Sequence, residues 1–208
     1  MSRKLYITGT DTGIGKTYIS VNLLHAFNQA GLSTIGLKPI ATGANPENED
    51  ALLLQQAASI KLPYADVNPL AFAPPIAPHI AAAAVNTTLT IDSLNKCMES
   101  AFAHPADIHL IEGVGGSHVP LNRHETMADW ARVNNFETIL VVGVRLGCIN
   151  HALITLRALQ ADKVNVIGWI ANCIDEGMDA MQENLQALRE LLNVPCLAVC
   201  HKGGPVKL

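Results

Sequence analysis

The stretch Gly9-Thr10-Asp11-Thr12-Gly13-Ile14-Gly15-Lys16-Thr17 restricts this chain more than any other. An apolar run, Leu5-Tyr6-Ile7-Thr8, leads into it and a helical pattern follows it. A phosphate-binding loop needs this context, a strand that delivers the chain to a glycine-rich turn at a helix N-terminus. Backbone N–H groups in the turn point at phosphate oxygens, and the helix dipole adds partial positive charge. In such a loop Lys16 reaches the β- and γ-phosphates, and the Thr17 hydroxyl takes a place on Mg²⁺. The usual spacing has four residues before Gly-Lys-Ser/Thr, whereas here Thr10 holds the first glycine position and Gly9 comes one residue early. A turn whose glycines only relieve strain would explain the glycines. It would not explain the lysine and hydroxyl that follow the last one.

Strand-like runs and helical patterns alternate along the whole chain. Ile19, Leu23 and Phe27 recur every four residues, which predicts an amphipathic helix over 16–30 stopped by Gly31. The pattern predicts strands at 33–37, 108–111, 138–144, 166–171 and 196–200. Helices are predicted at 50–59, 91–102 and 127–134, along the Ile149–Leu159 stripe and over Met181–Leu192. This alternation implies a doubly wound, mostly parallel sheet with helices on both faces and right-handed crossovers. Residues 1–208 read as one domain. Ligands on such sheets bind at the carboxyl ends of the strands. The stretch Pro63–Pro78 carries five prolines, so it cannot be one long helix and reads as a surface excursion.

Composition removes several classes of function. With 49% hydrophobic and 15% charged residues the chain is not a disordered one. A net charge of −4 and no Lys/Arg cluster give no support to a nucleic-acid partner. No apolar stretch reaches membrane-spanning length and no signal-peptide core is present, so a soluble, cytoplasmic protein without a membrane partner is expected. Five cysteines without a CxxC pair predict free thiols, and the eight histidines show no metal-ligand spacing.

Further candidate residues fall at strand ends. Glu112 closes the strand Ile108–Ile111 and precedes Gly113-Val114-Gly115-Gly116; an acid there in a phosphate-loop protein serves Mg²⁺, directly or through water. Asp50 starts a helix and could be a second carboxylate near the metal, but spacing does not select it over Glu47 or Glu49. Lys38 ends the second strand, where it either stabilises charge in phosphoryl transfer or is a solvated lysine. The Thr42 hydroxyl, in the following turn, could hold a ligand or its own backbone. Gly147-Cys148-Ile149-Asn150 forms a second strand–turn–helix start, and so a second anion site. No histidine–acid arrangement accompanies Cys148, which argues against a nucleophile. Asn172 ends the next strand, where its amide could read a base edge or simply serve the turn.

Together these residues resemble the dethiobiotin synthetase family over about the first 175 residues. The resemblance rests on Gly9–Thr17, Lys38-Pro39-Ile40-Ala41-Thr42-Gly43, Asp50-Ala51-Leu52, Val67-Asn68-Pro69, Pro78-His79-Ile80 and Glu112–Gly116. It continues through Ala128-Asp129-Trp130, Val142–Ala152 and Gly168–Asn172. The resemblance implies an ATP- and Mg²⁺-dependent carboxylase that closes the ureido ring of dethiobiotin from 7,8-diaminononanoate and CO₂. It assigns Thr17, Asp50 and Glu112 to Mg²⁺. Gly13, Ile14, Gly15, Lys16, Thr17, Gly113, Val114, Gly115, Asn172 and Cys173 fall to ATP. Lys16 and Lys38 flank the reacting centre, and Thr12 and Thr42 contact the substrate. Gly147, Cys148, Ile149 and Asn150 reach the substrate from a partner subunit, so a homodimer is implied.

Gly13 stands where some family members carry glutamate, and Cys173 where an aspartate can occur. After the last strand, Cys200–Pro205 replaces the Ile-Pro pair and longer tail common in the family. No base-reading role therefore transfers to His201 or Lys202, and weak base selectivity is expected. A MinD/ParA-like dimeric ATPase switch shares the expected fold, but those proteins carry an extra lysine early in the loop, where this chain has Thr10 and Asp11.

Overall fold

The computed structural model describes residues 2–175, 177–201 and 204. In chain order the elements are β1 (Arg3–Gly9), α1 (Lys16–Gln29), β2 (Thr34–Leu37), β3 (Ile40–Thr42), α2 (Glu49–Ala57), α3 (Tyr64–Val67), β4 (Leu70–Phe72) and α4 (Pro78–Ala84). They continue with α5 (Ile91–Ala103), β5 (Ile108–Glu112), α6 (Met127–Val133), β6 (Glu137–Val144), α7 (Cys148–Ala161), β7 (Val166–Cys173), α8 (Met181–Leu191) and β8 (Cys196–His201). Six strands form a sheet in the order β2-β5-β1-β6-β7-β8, and every pairing is parallel.

The sheet is covered on both faces because its inner strands are mostly apolar at successive positions, with alternate side chains pointing to opposite sides. On one side Leu5, Ile7, Ile139, Val141 and Ile170 pack with Ile19, Leu23 and Leu24 of α1. On the other, Tyr6, Leu140, Val142 and Trp169 pack with Trp130 of α6 and Leu156 of α7. Trp130 and Phe136 meet edge to face, ring centroids 5.0 Å apart. Fully burying such a side chain contributes about 1.5–3 kcal/mol, which holds the helices on the sheet. Each expected strand and helix is present, with bounds that differ by one or two residues.

The proline-rich segment is more than a surface excursion. Its residues Leu70–Phe72 form β4, which pairs in parallel with β3 as a second, two-stranded sheet. Val67, Asn68 and Phe72 are buried, while Pro74–Ile76 stay exposed. Three-residue strands are too short to show a period in the sequence, and prolines at both ends hide them further.

Candidate active site

The strand order explains how the candidate residues converge. β5 lies between β2 and β1, with Leu37 opposite Ile111 and Ile7 opposite Glu112. The carboxyl ends of all three strands therefore open at one place, where Lys38 follows β2, Glu112 closes β5 and the phosphate loop follows β1. Thr10 N–H donates to Val141 O at 3.0 Å, which ties the start of that loop to β6. Gly15 takes φ +80° immediately before α1, and a Cβ there would stand 2.3 Å from Asn172 Nδ2. Only glycine fits such a position. No side chain caps the start of α1, whereas Asn48, Thr90 and Thr126 cap α2, α5 and α6. The first N–H groups of α1 are thus left for an anion.

A cavity of about 400 Å³ opens at these strand ends. Thr12, Gly13, Gly15, Lys16 and Thr17 line it from the phosphate loop, Lys38 from just after β2, Ala41 and Thr42 from β3, and Asn48 and Asp50 from the start of α2. Val114 and Gly115 close it from the loop after β5. Lys38 Nζ lies 2.6 Å from Glu112 Oε1 and 3.1 Å from Asp50 Oδ2, and it donates to Gly113 O at 3.3 Å. The Thr17 hydroxyl donates to Glu112 Oε1 at 2.9 Å. Burial disfavours the Lys38 charge, yet the attraction of Glu112 and Asp50 outweighs it and holds the ammonium above the ordinary lysine range. Burial likewise opposes the Asp50 charge, but Lys38, Thr17 and Lys16 together hold its carboxyl below the ordinary range. Lys16 differs, because burial and the nearby Lys38 push its pKa down to about 8, only partly opposed by Glu112, Asp50 and Asp11.

Beside this cavity lies a second, of about 380 Å³. Thr12, Thr42, Val114 and Gly115 line both. Its remaining wall is mostly apolar: Pro75, Ile76, Ala77 and Pro78 from the proline-rich segment, with Val119 and Pro120. Thr12 and Thr42 thus stand where the cavity at the glycine-rich loop meets a more apolar one.

Other candidates lie outside both cavities, among them Ile14, Gly113 and the buried Glu112, which meets the first cavity only through Lys38 and Thr17. Asn172 is buried, and its side-chain N–H donates to Ile14 O at 2.7 Å, bracing the phosphate loop. Cys173 is buried beside it at the end of β7. Gly147, Cys148, Ile149 and Asn150 form the turn into α7, where Gly147 has φ +90° and no side chain caps the helix. They line neither cavity. Of the residues after the final strand, Lys202, Gly203 and Pro205 lie outside the described residues.

Comparison with known proteins fits this geometry. Residues 3–202 match a family model described as an AAA domain. The ATP-dependent dethiobiotin synthetase BioD of Pseudomonas aeruginosa strain LESB58 is 47% identical over 197 residues, covering 92% of this chain and 86% of that protein. The enzyme of the same name from Cellvibrio japonicus is 44% identical over 96% of this chain and 90% of that protein. The chain belongs to the dethiobiotin synthetase family. Among solved structures, MinD from Pyrococcus horikoshii complexed with Mg-ADP aligns with TM-score 0.59 and 18% identity, covering 97% of this chain and 82% of that one. The signal recognition particle receptor FtsY from Elizabethkingia anophelis, in complex with GDP, aligns with TM-score 0.60 and 16% identity. This chain is covered completely in that alignment but spans only 60% of the receptor. At these identities the likeness is one of fold.

Within the dethiobiotin synthetase frame, sequence reading missed the groups that hold Lys38 in place. Asn68, buried after α3, donates to the Lys38 carbonyl at 2.5 Å. The Tyr64 hydroxyl donates to Asn68 Oδ1 at 2.9 Å and accepts from Asn48 N–H at 2.8 Å. One network thus joins the proline-rich segment, the end of β2 and the cap of α2. The sequence marked this place through Val67-Asn68-Pro69, one of the stretches of the family resemblance, but an Asn-Pro pair by itself reads as a turn and gave Asn68 no role.

Proposed function

We infer that the two adjoining cavities are where ATP and 7,8-diaminononanoate meet. The overall reaction is that of the family: diaminononanoate, CO₂ and ATP give dethiobiotin, ADP and phosphate. The observation that carries this reading is the convergence of Lys16, Lys38 and Asp50 on one cavity, with Glu112 buried behind its wall against Lys38 and Thr17; that cavity shares Thr12 and Thr42 with an apolar one. A nucleotide-only switch has no need of the second cavity. An aliphatic diamine has, because its reacting amines must face the phosphates while its chain avoids water.

The residues fit a magnesium ion. Thr17, Asp50 and Glu112 offer a hydroxyl and two carboxylates, the hard oxygen donors that Mg²⁺ prefers alongside phosphate oxygens. Glu112 Oε2 is buried without a hydrogen-bond partner among the described residues, an orphan that a cation would satisfy. When bound, the ion neutralises charge on the β- and γ-phosphates. Lys16, the loop N–H groups and the uncapped start of α1 hold those phosphates.

The chemistry runs in three stages. One substrate amine adds CO₂ to give a carbamate, whose oxygen attacks the γ-phosphorus and expels ADP. The second amine then attacks the mixed-anhydride carbonyl, and phosphate leaves as the five-membered ring closes. Lys38 is placed to face the negative carbamate and γ-phosphoryl oxygens once they compete for it with Glu112 and Asp50. Thr12 and Thr42 fix the diamine at the junction. Positioning and positive charge do most of the work in such a transfer.

The Gly147–Asn150 turn is read as serving the neighbouring subunit of a homodimer. Its absence from both cavities of its own chain supports this, as does Leu146, which is 91% exposed. A cytoplasmic location belongs to the same reading and agrees with five free thiols. No helix among the described residues is long and apolar enough to cross a membrane.

The deciding experiment measures ATP consumption with and without diaminononanoate and bicarbonate, together with dethiobiotin formed. ATP loss should require both and match dethiobiotin one for one. ATPase activity that ignores diaminononanoate but responds to DNA or lipid would overturn the reading.

A further inference from the structure

The phosphate loop contains one acidic side chain, Asp11, whose charge opposes the loop's purpose. Both of its carboxylate oxygens are engaged. Oδ1 accepts from Thr12 N–H at 2.7 Å, and Oδ2 lies 2.6 Å from Arg145 Nη2. Arg145 comes directly after β6, which runs beside the loop, and its carbonyl accepts from Cys148 N–H at 2.9 Å. Its backbone is therefore held by the turn into α7, while its guanidinium reaches across to the loop. Asp11 lines neither cavity. Its carbonyl oxygen, however, accepts from Lys16 Nζ at 3.1 Å, so its carboxylate belongs to a residue that already touches the phosphate-binding lysine.

We propose that Arg145 is a positioning residue for nucleotide binding, which neutralises Asp11 and keeps its carboxylate turned away from the triphosphate and from Lys16. This rests on the reading of the first cavity as a nucleotide site, but not on the carboxylation chemistry. Freed from Arg145, the Asp11 carboxylate both repels phosphate oxygens and competes for Lys16. The pair also explains why an acid is tolerable in this loop. Asp11 supplies an acceptor that shapes the turn at Thr12, and Arg145 removes the electrostatic penalty.

The test is direct titration of MgATP binding, by calorimetry or a fluorescent nucleotide, without diaminononanoate or bicarbonate. Arg145→Ala should weaken MgATP binding by about fivefold, the upper end expected of a half-exposed ion pair. Asp11→Asn retains the acceptor for Thr12 N–H but loses the charge, and should bind at least as tightly as wild type. The informative protein is the double variant Arg145→Ala/Asp11→Asn, in which affinity should return to the wild-type range because no charge is left to neutralise. A merely structural arginine would show no such rescue. Unchanged binding in Arg145→Ala, or a double variant as weak as Arg145→Ala, overturns the proposal. If wild type itself fails to bind MgATP, the nucleotide reading has failed as well. Wild-type binding without dethiobiotin formation would instead sink only the reaction assignment.

Discussion

Lys38 Nζ sits 2.6 Å from Glu112 Oε1, with the lysine side chain 5% exposed and the glutamate side chain fully buried. Lys38 keeps a second carboxylate, Asp50, but Glu112 has no other ion-pair partner among the described residues, so deleting the lysine strands the buried carboxylate. Lys38→Ala should therefore fail in two separable ways. Turnover should fall by two to three decades, about 3–4 kcal/mol, through lost stabilisation of the transferring phosphoryl group. Folding stability should fall by about 3–5 kcal/mol, because Glu112 is left buried and unpaired. Adding Glu112→Gln should restore much of the stability in thermal unfolding but none of the turnover. MgATP affinity should survive Lys38→Ala better than Lys16→Ala, and equal losses would contradict the division of roles.

The metal assignment is tested by removing charge at constant size. Asp50→Asn and Glu112→Gln should each raise the Mg²⁺ concentration needed for half-maximal turnover. Both should unfold cooperatively. Asp50 also opens α2, so its carboxylate could serve only the helix start. A normal Mg²⁺ requirement in Asp50→Asn would leave it that role alone.

Lys16 gives the site a pH dependence. In the free protein it loses its proton around pH 8 rather than 10.5, because burial and Lys38 disfavour its charge. Phosphate binding favours the charged form, so MgATP should bind with proton uptake at about pH 8.5. Calorimetry in buffers of different ionisation enthalpy reads this directly. For the same reason kcat/KM for ATP should fall as pH rises through about 8, by about tenfold per unit. For folding the sign is opposite. Between about 8 and 10.5 the unfolded chain holds the proton that the folded one has lost, so this group's penalty on stability is relieved as pH rises. Binding at pH 8.5 without proton uptake would show that Lys16 is already charged.

What could be read from sequence was what is local. β1, the phosphate loop and α1 are contiguous, so Leu5–Phe27 announces them through period and glycine placement alone. Glu112 was legible because a continuous apolar strand ends on it. Lys38 was ambiguous, since its partners lie 12 and 74 positions away and become neighbours only through the order β2-β5-β1. The β3–β4 pair joins strands of three residues across 30 positions, which no periodicity reveals. Asn68 and Arg145 lie in stretches shared with the family, but that they meet Lys38 and Asp11 is set by tertiary contacts that no local pattern in the sequence shows.

The network behind Lys38 yields a further test. Asn68→Ala removes the donor to the Lys38 carbonyl and leaves that buried oxygen unpaired, at a cost of about 1–3 kcal/mol in stability. Turnover should fall with little change in MgATP affinity, since Lys38 moves while the phosphate loop does not. Loss of affinity equal to the loss of turnover would mean that Asn68 supports the whole cavity rather than Lys38.

The last prediction separates bracing from base readout at Asn172. Its side-chain N–H is already committed to Ile14 O, inside the glycine-rich loop between β1 and α1. An amide so engaged has one fewer group with which to discriminate between bases, and its neighbour Cys173 is a buried thiol with little hydrogen-bonding power. A site rejects the wrong base strongly only when buried polar groups would otherwise go unpaired. GTP or CTP should therefore support turnover within about one to two decades of ATP, equivalent to ~1.4–2.8 kcal/mol of discrimination. Asn172→Asp turns the donor into an acceptor facing the Ile14 carbonyl. It should weaken ATP and GTP alike, because what it disturbs is the phosphate loop. If the substitution instead shifts the ATP-to-GTP ratio by more than about tenfold, Asn172 reads the base. A wild-type preference for ATP of several decades in a competition assay would likewise show that groups beyond Asn172 and Cys173 grip the adenine.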